Sequence, residues 1–366
     1  MNPLTQSQKN NNPVTSHRTD ARLLWATAAK LALGLTLIAL FPLVPRASAD
    51  SFITTFFSTG APDGKIGTLS RPPSAAGLET ETADDFILTQ SMVINKATFT
   101  GLMVGLNPSI SNVEIEIYHV FPVDSDTVRT ITVPTRTNSP ADNEIDSATR
   151  DSSDGSLSFT STLMGSFTVN NSVVDGIHPS PTPLPFTGGE GPMTGQEVSI
   201  TVMFDPPIAL PAGEYFFRPE VGLSSGNFLW LSAPKPIVAP GTPFATDRQS
   251  WIRNANLVPD WLRIGTDITH QGPFNASFSL SGETIQQRIE ELVPCSGPAS
   301  GGTWKNHGQY VSTVTHVAQT FVDQGLISGS EKGQIVSAAA RSNCGKPTKN
   351  NKNNKNNKNN KKHKKH

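Results

Sequence analysis

The segment 113–121 alternates with a period of two. Val113, Ile115, Ile117 and His119 fall on one side, and Glu114, Glu116 and Tyr118 on the other. That period fits a strand with one apolar face, and it confines the segment to a half-buried sheet. Similar short runs, rich in β-branched and aromatic residues, recur at 51–57, 82–88, 92–104, 130–133, 157–169, 197–204, 215–219, 228–231, 261–264 and 274–280. Turn residues separate them, and the whole chain carries 29 glycines and 29 prolines. Many short strands at this spacing predict a mainly β fold, a jelly-roll-like antiparallel sandwich over residues 50–282. The alternation places Glu114 and Glu116 on the solvent side of their strand. Two stretches, 124–155 and 178–195, are too polar or too rich in Pro and Gly for core strands and predict long surface loops.

The amino end has a different character. Arg18, Arg22 and Lys30 precede an uncharged apolar run over 31–44, and Ala47-Ser48-Ala49 follows it. A positive leader, a short greasy helix and an A-x-A exit form a secretory signal, expected to be cleaved after Ala49. An uncleaved anchor would need about 20 apolar residues and would have to include Lys30. No other segment is apolar enough to span a bilayer as a helix, so the expected location is secreted, cell-surface or periplasmic. Residues 1–49 are then the signal peptide.

Past residue 282 the period lengthens. The segment 283–293 reads as a short helix or linker. Val311, Val314, Ala318, Phe321 and Val322 form one stripe at helical spacing. Gly325 is a plausible stop. Ser328 and Glu331 fit a capping box that opens a second helix. Cys295 and Cys344, the only two cysteines, bracket this hairpin. An even count in an exported chain predicts a disulfide between them, about 3–4 kcal/mol of stabilisation in the chain-entropy model. The expected boundaries are 283–345 for linker and hairpin and 346–366 for a disordered tail. That tail repeats Lys-Asn-Asn and ends in Lys and His, with no apolar residue to bury.

Charge is divided unevenly. Residues 50–345 carry 29 acidic and 15 basic residues, net −14, while 346–366 carry nine lysines and no acid, net +9. The acidic body argues against nucleic acid as a target of the folded domain. The cationic tail is suited to polyanions such as anionic envelope polymers.

Thr82-Ala83-Asp84-Asp85-Phe86, Leu210-Pro-Ala-Gly-Glu-Tyr-Phe-Phe217 and Phe274-Asn-Ala-Ser-Phe-Ser-Leu-Ser-Gly282 resemble uncharacterised exported bacterial β-sandwich proteins, in which Ala-Asp-Asp-Phe opens a strand and Phe-x-Leu-x-Gly closes the domain. Gly302-Thr-Trp-Lys-Asn-His-Gly-Gln-Tyr-Val311, with Gly325-Leu-Ile and 337–344, resembles a short C-terminal module of exported bacterial proteins. The resemblance implies export and a jelly-roll-like sandwich, and it implies no catalytic residue.

Candidate chemistry is sparse. Asp84 and Asp85 are adjacent and so point to opposite faces; one of them is expected to bind backbone at a strand start. Glu114 and Glu116 share a face at roughly 7 Å, within the about 5–10 Å that a glycosidase pair needs, but on a side expected to be solvated. The acidic insertion offers Asp124, Asp126, Asp151 and Asp154 as candidate calcium ligands, without the twelve-residue loop spacing of a dedicated site. His307 and His316 are nine apart and cannot chelate one ion from one helix. Trp304, Lys305 and His307 are expected to pack the hairpin onto the sandwich. Trp230, Trp251, Trp261 and Tyr215 are the candidate stacking platform for a sugar, against the alternative that they fill the core. No nucleophile elbow, zinc-helix or phosphate-loop motif occurs. The leading expectation is a non-enzymatic surface or matrix protein that binds glycans or other envelope components. The rivals are a secreted hydrolase with a loop-borne site and a purely structural extracellular component.

Overall fold

The computed structural model describes residues 53–74, 77–129, 131–177, 187–235, 237 and 248–346. The expected signal peptide and cationic tail lie outside these residues. The fold is mainly β, as the alternation predicted: two sheets face each other and a helical region follows. The first sheet holds β1 (Thr54–Ser58), β2 (Ile66–Leu69), β4 (Met92–Val104), β8 (Leu157–Val169), β9 (Asn171–Val173), β10 (Met193–Leu210), β12 (Asn227–Ala233), β15 (Asn275–Ala276) and β16 (Phe278–Thr284). The second holds β3 (Thr80–Leu88), β5 (Ile110–Val120), β6 (Pro140–Glu144), β7 (Arg150–Asp151), β11 (Gly213–Leu223), β13 (Trp251–Asn254) and β14 (Leu262–Arg263). All pairings are antiparallel except β2 with β9.

The long strand β4 organises the first sheet. One edge pairs with β10 along its whole length. The other pairs first with β16, through Met92–Phe99, and then with β12, through Gly101–Val104. The sheet therefore forks: β16 leads to β1, and β12 leads to β2 and β9. Gly101 lies at the fork because the Phe228 ring occupies the place a β-carbon would take, 2.1 Å away.

The core between the sheets is aromatic. Phe217 and Phe278 stack with centroids 5.1 Å apart, Phe99 meets Phe228 edge-on, and Trp230 meets both Phe217 and Phe278. Val113, Ile115 and Ile117 enter this core, as their period requires. Each buried aromatic removes a large apolar area from water and adds about 0.5–1.5 kcal/mol per well-oriented pair.

Several local expectations need correction. The segment 131–133 is not a strand. The acidic stretch 124–155 is no solvated loop: it carries β6 and β7 and buries Val133, Arg136, Ala141 and Ala148. Of the second loop, 178–186 lies outside the described residues, and Met193–Gly195 already belong to β10. Short strands β2, β9 and β13 have too few residues for a readable period.

The helical region follows the capping signals closely. α1 (Ile285–Leu292), α2 (His307–Asp323) and α3 (Gly329–Arg341) carry N-caps at Thr284, Asn306 and Ser328. Thr284 and Ser328 each form the full reciprocal capping box. Gly325 adopts φ +72° after α2, the left-handed stop a glycine supplies. Cys295 and Cys344 are bonded with Cα atoms 4.9 Å apart, closing a separation of 49 residues. His307 joins this closure through contacts to the Cys344 and Ala340 carbonyls, and Trp304 Nε1–H donates to the Pro294 carbonyl. Val93 and Ala209, at one end of the first sheet, pack into the same apolar cluster as the three helices.

Candidate functional site: two outer faces

Each sheet turns one face to the shared core. Its other face is where chemistry can reach solvent, and the two outer faces differ.

The outer face of the second sheet is a buried charge layer. Arg218, 1% exposed, donates from Nη2 to Glu81 at 2.7 Å and to Glu220 at 2.6 Å. Its Nη1 lies 3.6 Å from Glu116 and 3.9 Å from Glu114, and Glu79 approaches Nη2 at 3.5 Å. Arg253, directly across the strand pair from Glu81, bonds that carboxylate and the Tyr118 hydroxyl. Its guanidinium also lies 4.2 Å from the centre of the Trp261 ring. Two guanidinium groups thus face five glutamates. Glu81 touches both of them: burial pushes its carboxyl up, but Arg253 and Arg218 outweigh burial and hold it at about 2.

The other glutamates have only a share of Arg218. Burial raises Glu220 to about 8, against the pull of Arg218 and with the help of Glu114, Glu79 and Glu81. Burial raises Glu114 to about 7, again against Arg218, with Glu116 and Asp151 adding to the rise. Glu114 and Glu220 sit directly opposite each other, a pairing that is unfavourable when both are ionised. One proton held on this pair removes the conflict. Glu114 and Glu116 are therefore not a solvated acid pair. They share a face, as expected, but Arg218 lies against both, and the neighbouring part of the face is covered. Trp251, Trp261, Phe216 and Tyr118 cluster there. The insertion is pinned through Arg136, which donates to Asp260 at 2.5 Å and to Asp142 at 2.7 Å.

The other sequence candidates are also structural. Trp230, Trp251, Trp261 and Tyr215 are each at most 2% exposed, so no ring face is presented to a sugar. Trp230 and Trp261 donate their indole N–H to the Ser277 and Ala141 carbonyls, and Tyr215 donates its hydroxyl to Pro211. The platform expectation fails because these strands are covered on both faces. Asp151 and Asp154 accept from the Ser153 and Ser156 backbone, and Asp126 from the Val128 backbone, closing local turns. Asp124 instead lies 3.5 Å from His119. Among the described residues no three acidic, His or Cys side chains are grouped to hold a metal, so the structure does not assemble the candidate calcium set. Asp84 accepts from Ser250 Oγ and, across the sandwich, from the Ala276 N–H, and Asp85 accepts from the Arg248 N–H, so both carboxylates, not one, bind backbone, and both lie within β3 rather than at its start.

The outer face of the first sheet carries hydroxyls instead. Register places Thr160, Thr201, Thr98, Ser279 and Ser58 in one row across β8, β10, β4, β16 and β1. At the usual strand spacing the row spans ~19 Å. A second row reads Ser158, Met203, Lys96, Ser281 and Thr55, and a third Thr162, Ser199 and Thr100. The residues between them, Phe159 and the exposed Ser161 on β8 apart, are Val198, Ile200, Val202, Ala97, Phe99, Phe278, Leu280 and Phe57, all core. Thr98 and Thr201 hydroxyls pair at 3.0 Å, as do those of Thr55 and Ser281. Ser158, Thr160, Thr162, Met203 and Thr55 are exposed, Thr98, Thr100, Ser199, Thr201 and Ser279 are half-buried, and Ser281 is buried. The helical region covers this face at Val93 and Ala209. At the other end Leu102, Leu229 and Val169 form a separate apolar cluster. The hydroxyl strip lies between the two.

This strip was not singled out by sequence reasoning, although its signal is present. In Ser158-Phe-Thr160, Thr98-Phe-Thr100, Ser199-Ile-Thr201 and Ser279-Leu-Ser281 the polar half of the alternation is hydroxyl and uncharged. Only the register shows that these halves align. An apolar groove of about 600 Å³ lies between α1 and the helical hairpin, lined by Ile289, Val293, Tyr310, Val314 and Ile335 beside the disulfide. No known protein family, curated protein or solved structure matches this chain.

Proposed function

We propose that this chain is an exported, non-enzymatic surface or matrix protein that lays the hydroxyl strip of its first sheet against a carbohydrate polymer of the envelope. The observation that carries this reading is the aligned row Thr160, Thr201, Thr98, Ser279 and Ser58. Regular hydroxyls on a sheet both donate and accept, and so match the hydroxyl-rich edge of a neutral glycan. An acidic body repels polyanions, which favours a neutral polymer for the strip and leaves anionic polymers to the cationic tail. Export is supported by the amino-terminal signal pattern and by a disulfide, a bond that persists outside the cytosol. Among the described residues no helix is long and apolar enough to cross a membrane. The hydrolase reading is weaker, because Glu114 and Glu116 are held by Arg218 inside a charge layer rather than at the floor of a cleft.

The test is sedimentation of the purified chain with insoluble neutral polysaccharides and with peptidoglycan, alongside a form lacking 346–366. Binding that survives tail removal and is lost in Thr98→Val/Thr201→Val supports the reading. Binding that depends on the tail alone, or that ignores the double substitution, overturns it.

A further inference from the structure

Strand β8 is the outer strand of the first sheet beyond β10, and it pairs with nothing else among the described residues. It runs for 13 residues without a charge or a proline, and Thr160 to Ser166 are all exposed, with Leu163 at 62% and Met164 at 60%. Natural sheets blunt such edges by shortening them, charging them or covering them. Among the described residues most other outer strands follow that rule: β14, β7 and β15 have two residues each, β9 has three, and β6 carries Asp142 and Glu144. β1 is uncharged but only five residues long, and β8, at 13 residues, is the longest outer strand and carries no charge.

Its sequence is suited to one partner. From Leu157 to Leu163 it reads Leu-Ser-Phe-Thr-Ser-Thr-Leu, ahead of the bulge that shifts the register after Leu163. Turned end for end about Thr160, this segment meets itself: Leu157 faces Leu163, Ser158 faces Thr162, Phe159 faces Ser161, and Thr160 faces Thr160. Opposed residues of an antiparallel pair share a face. In this register Leu157, Phe159 and the exposed Ser161 and Leu163 meet one another on one face, and Ser158, Thr160 and Thr162 meet hydroxyl to hydroxyl on the other. No like charges are opposed. A two-fold axis through Thr160 makes the contact closed and self-complementary.

We propose that two copies of this chain join antiparallel through β8, centred on Thr160, to make one continuous sheet. The occupant of the free edge is a second copy. The hydroxyl row through Thr160 then runs unbroken from Ser58 of one copy to Ser58 of the other, roughly ten strands or ~43 Å. This inference does not rest on polymer binding, since the edge and its self-complementarity stand whatever the strip contacts.

The experiment is sedimentation equilibrium of the purified full chain, of Thr160→Lys, of Thr160→Glu and of the two variants mixed, with thermal melting of each. Thr160 is exposed, so both variants are expected to melt as the parent does. The expected result is a dimer for the parent and self-association weakened about tenfold or more for each single variant, with association restored in the mixture, where lysine faces glutamate. A covalent dimer from oxidised Thr160→Cys, and none from Thr162→Cys, fixes the register. A parent that stays monomeric at about 0.1 mM, or variants that associate as the parent does, overturns the proposal.

Discussion

The two outer faces start from the same two-residue period and end as opposites. On the second sheet the outward positions hold Glu81, Glu114, Glu116, Arg218, Glu220 and Arg253, and neighbouring segments press charge and aromatic rings into a layer in which Glu81, Arg218, Glu220 and Arg253 are buried and Glu114 and Glu116 half-buried. On the first, the outward positions hold mostly Ser and Thr, with Lys96 and Met203 among them, and the middle of the sheet is left partly open. The lesson is that alternation decides which residues leave the core, while the insertions decide whether they meet solvent. A charged face can be closed only when opposite charges are supplied with it. A hydroxyl face can stay open at little cost, because water satisfies it.

The sharpest way to break this contrast is Arg218→Met. Glu81 then keeps only Arg253, and Glu79, Glu114, Glu116 and Glu220 lose the guanidinium they share; removing one partner of a buried ion network costs about 3–5 kcal/mol. Urea unfolding at neutral pH is expected to show that loss; an unchanged midpoint would mean the layer is not held by charge.

The next effect is a pH dependence of the parent. Glu220 and Glu114 titrate in the fold at about 8 and about 7, above their unfolded values, so the folded state binds more protons. Their contribution is fully present below about pH 4.5 and is lost as pH rises through 7 and 8. Glu81 has the opposite sign: its contribution is present above about pH 4.5 and is lost as pH falls toward 2. Stability is therefore expected to peak in mild acid and to fall by about 2–4 kcal/mol between pH 5 and pH 8. Glu220→Gln is expected to flatten that fall, and a melting series across pH reads both. A chain most stable at pH 8 would contradict the proton held between Glu114 and Glu220.

The smallest effect belongs to the open face. Thr98→Val/Thr201→Val removes one half-buried hydroxyl pair from a sheet that favours β-branched residues, and is expected to change stability by no more than about 1 kcal/mol. A loss of several kcal/mol on the same unfolding assay would show that the open face is as structural as the closed one.

How far the sequence reached follows the same division. The period of 113–121 placed Val113, Ile115 and Ile117 in the core correctly, and the capping box at Ser328 opened a helix where local hydrogen bonds demand it; the box at Thr284 goes unread in the sequence, where its segment is only a short helix or linker. The sulfur pairing was legible from a count of two. The fate of Glu114 and Glu116 was not, because it depends on Arg218, about a hundred residues away in sequence and next door only through strand pairing. Trp251 and Trp261 looked available for stacking for a similar reason: the insertion that covers them reads as a polar loop until Arg136 finds Asp260 and Asp142. The hydroxyl rows escaped notice because no single segment contains more than a few of their members.

The bond between Cys295 and Cys344 has a consequence for how the chain withstands proteolysis. A protease that cuts the backbone anywhere between these two positions, at the turn around Gly325 for example, severs the chain and frees nothing. Both fragments stay joined through sulfur, and whatever the protein carries beyond Cys344 remains tethered to its β body until a reductant arrives.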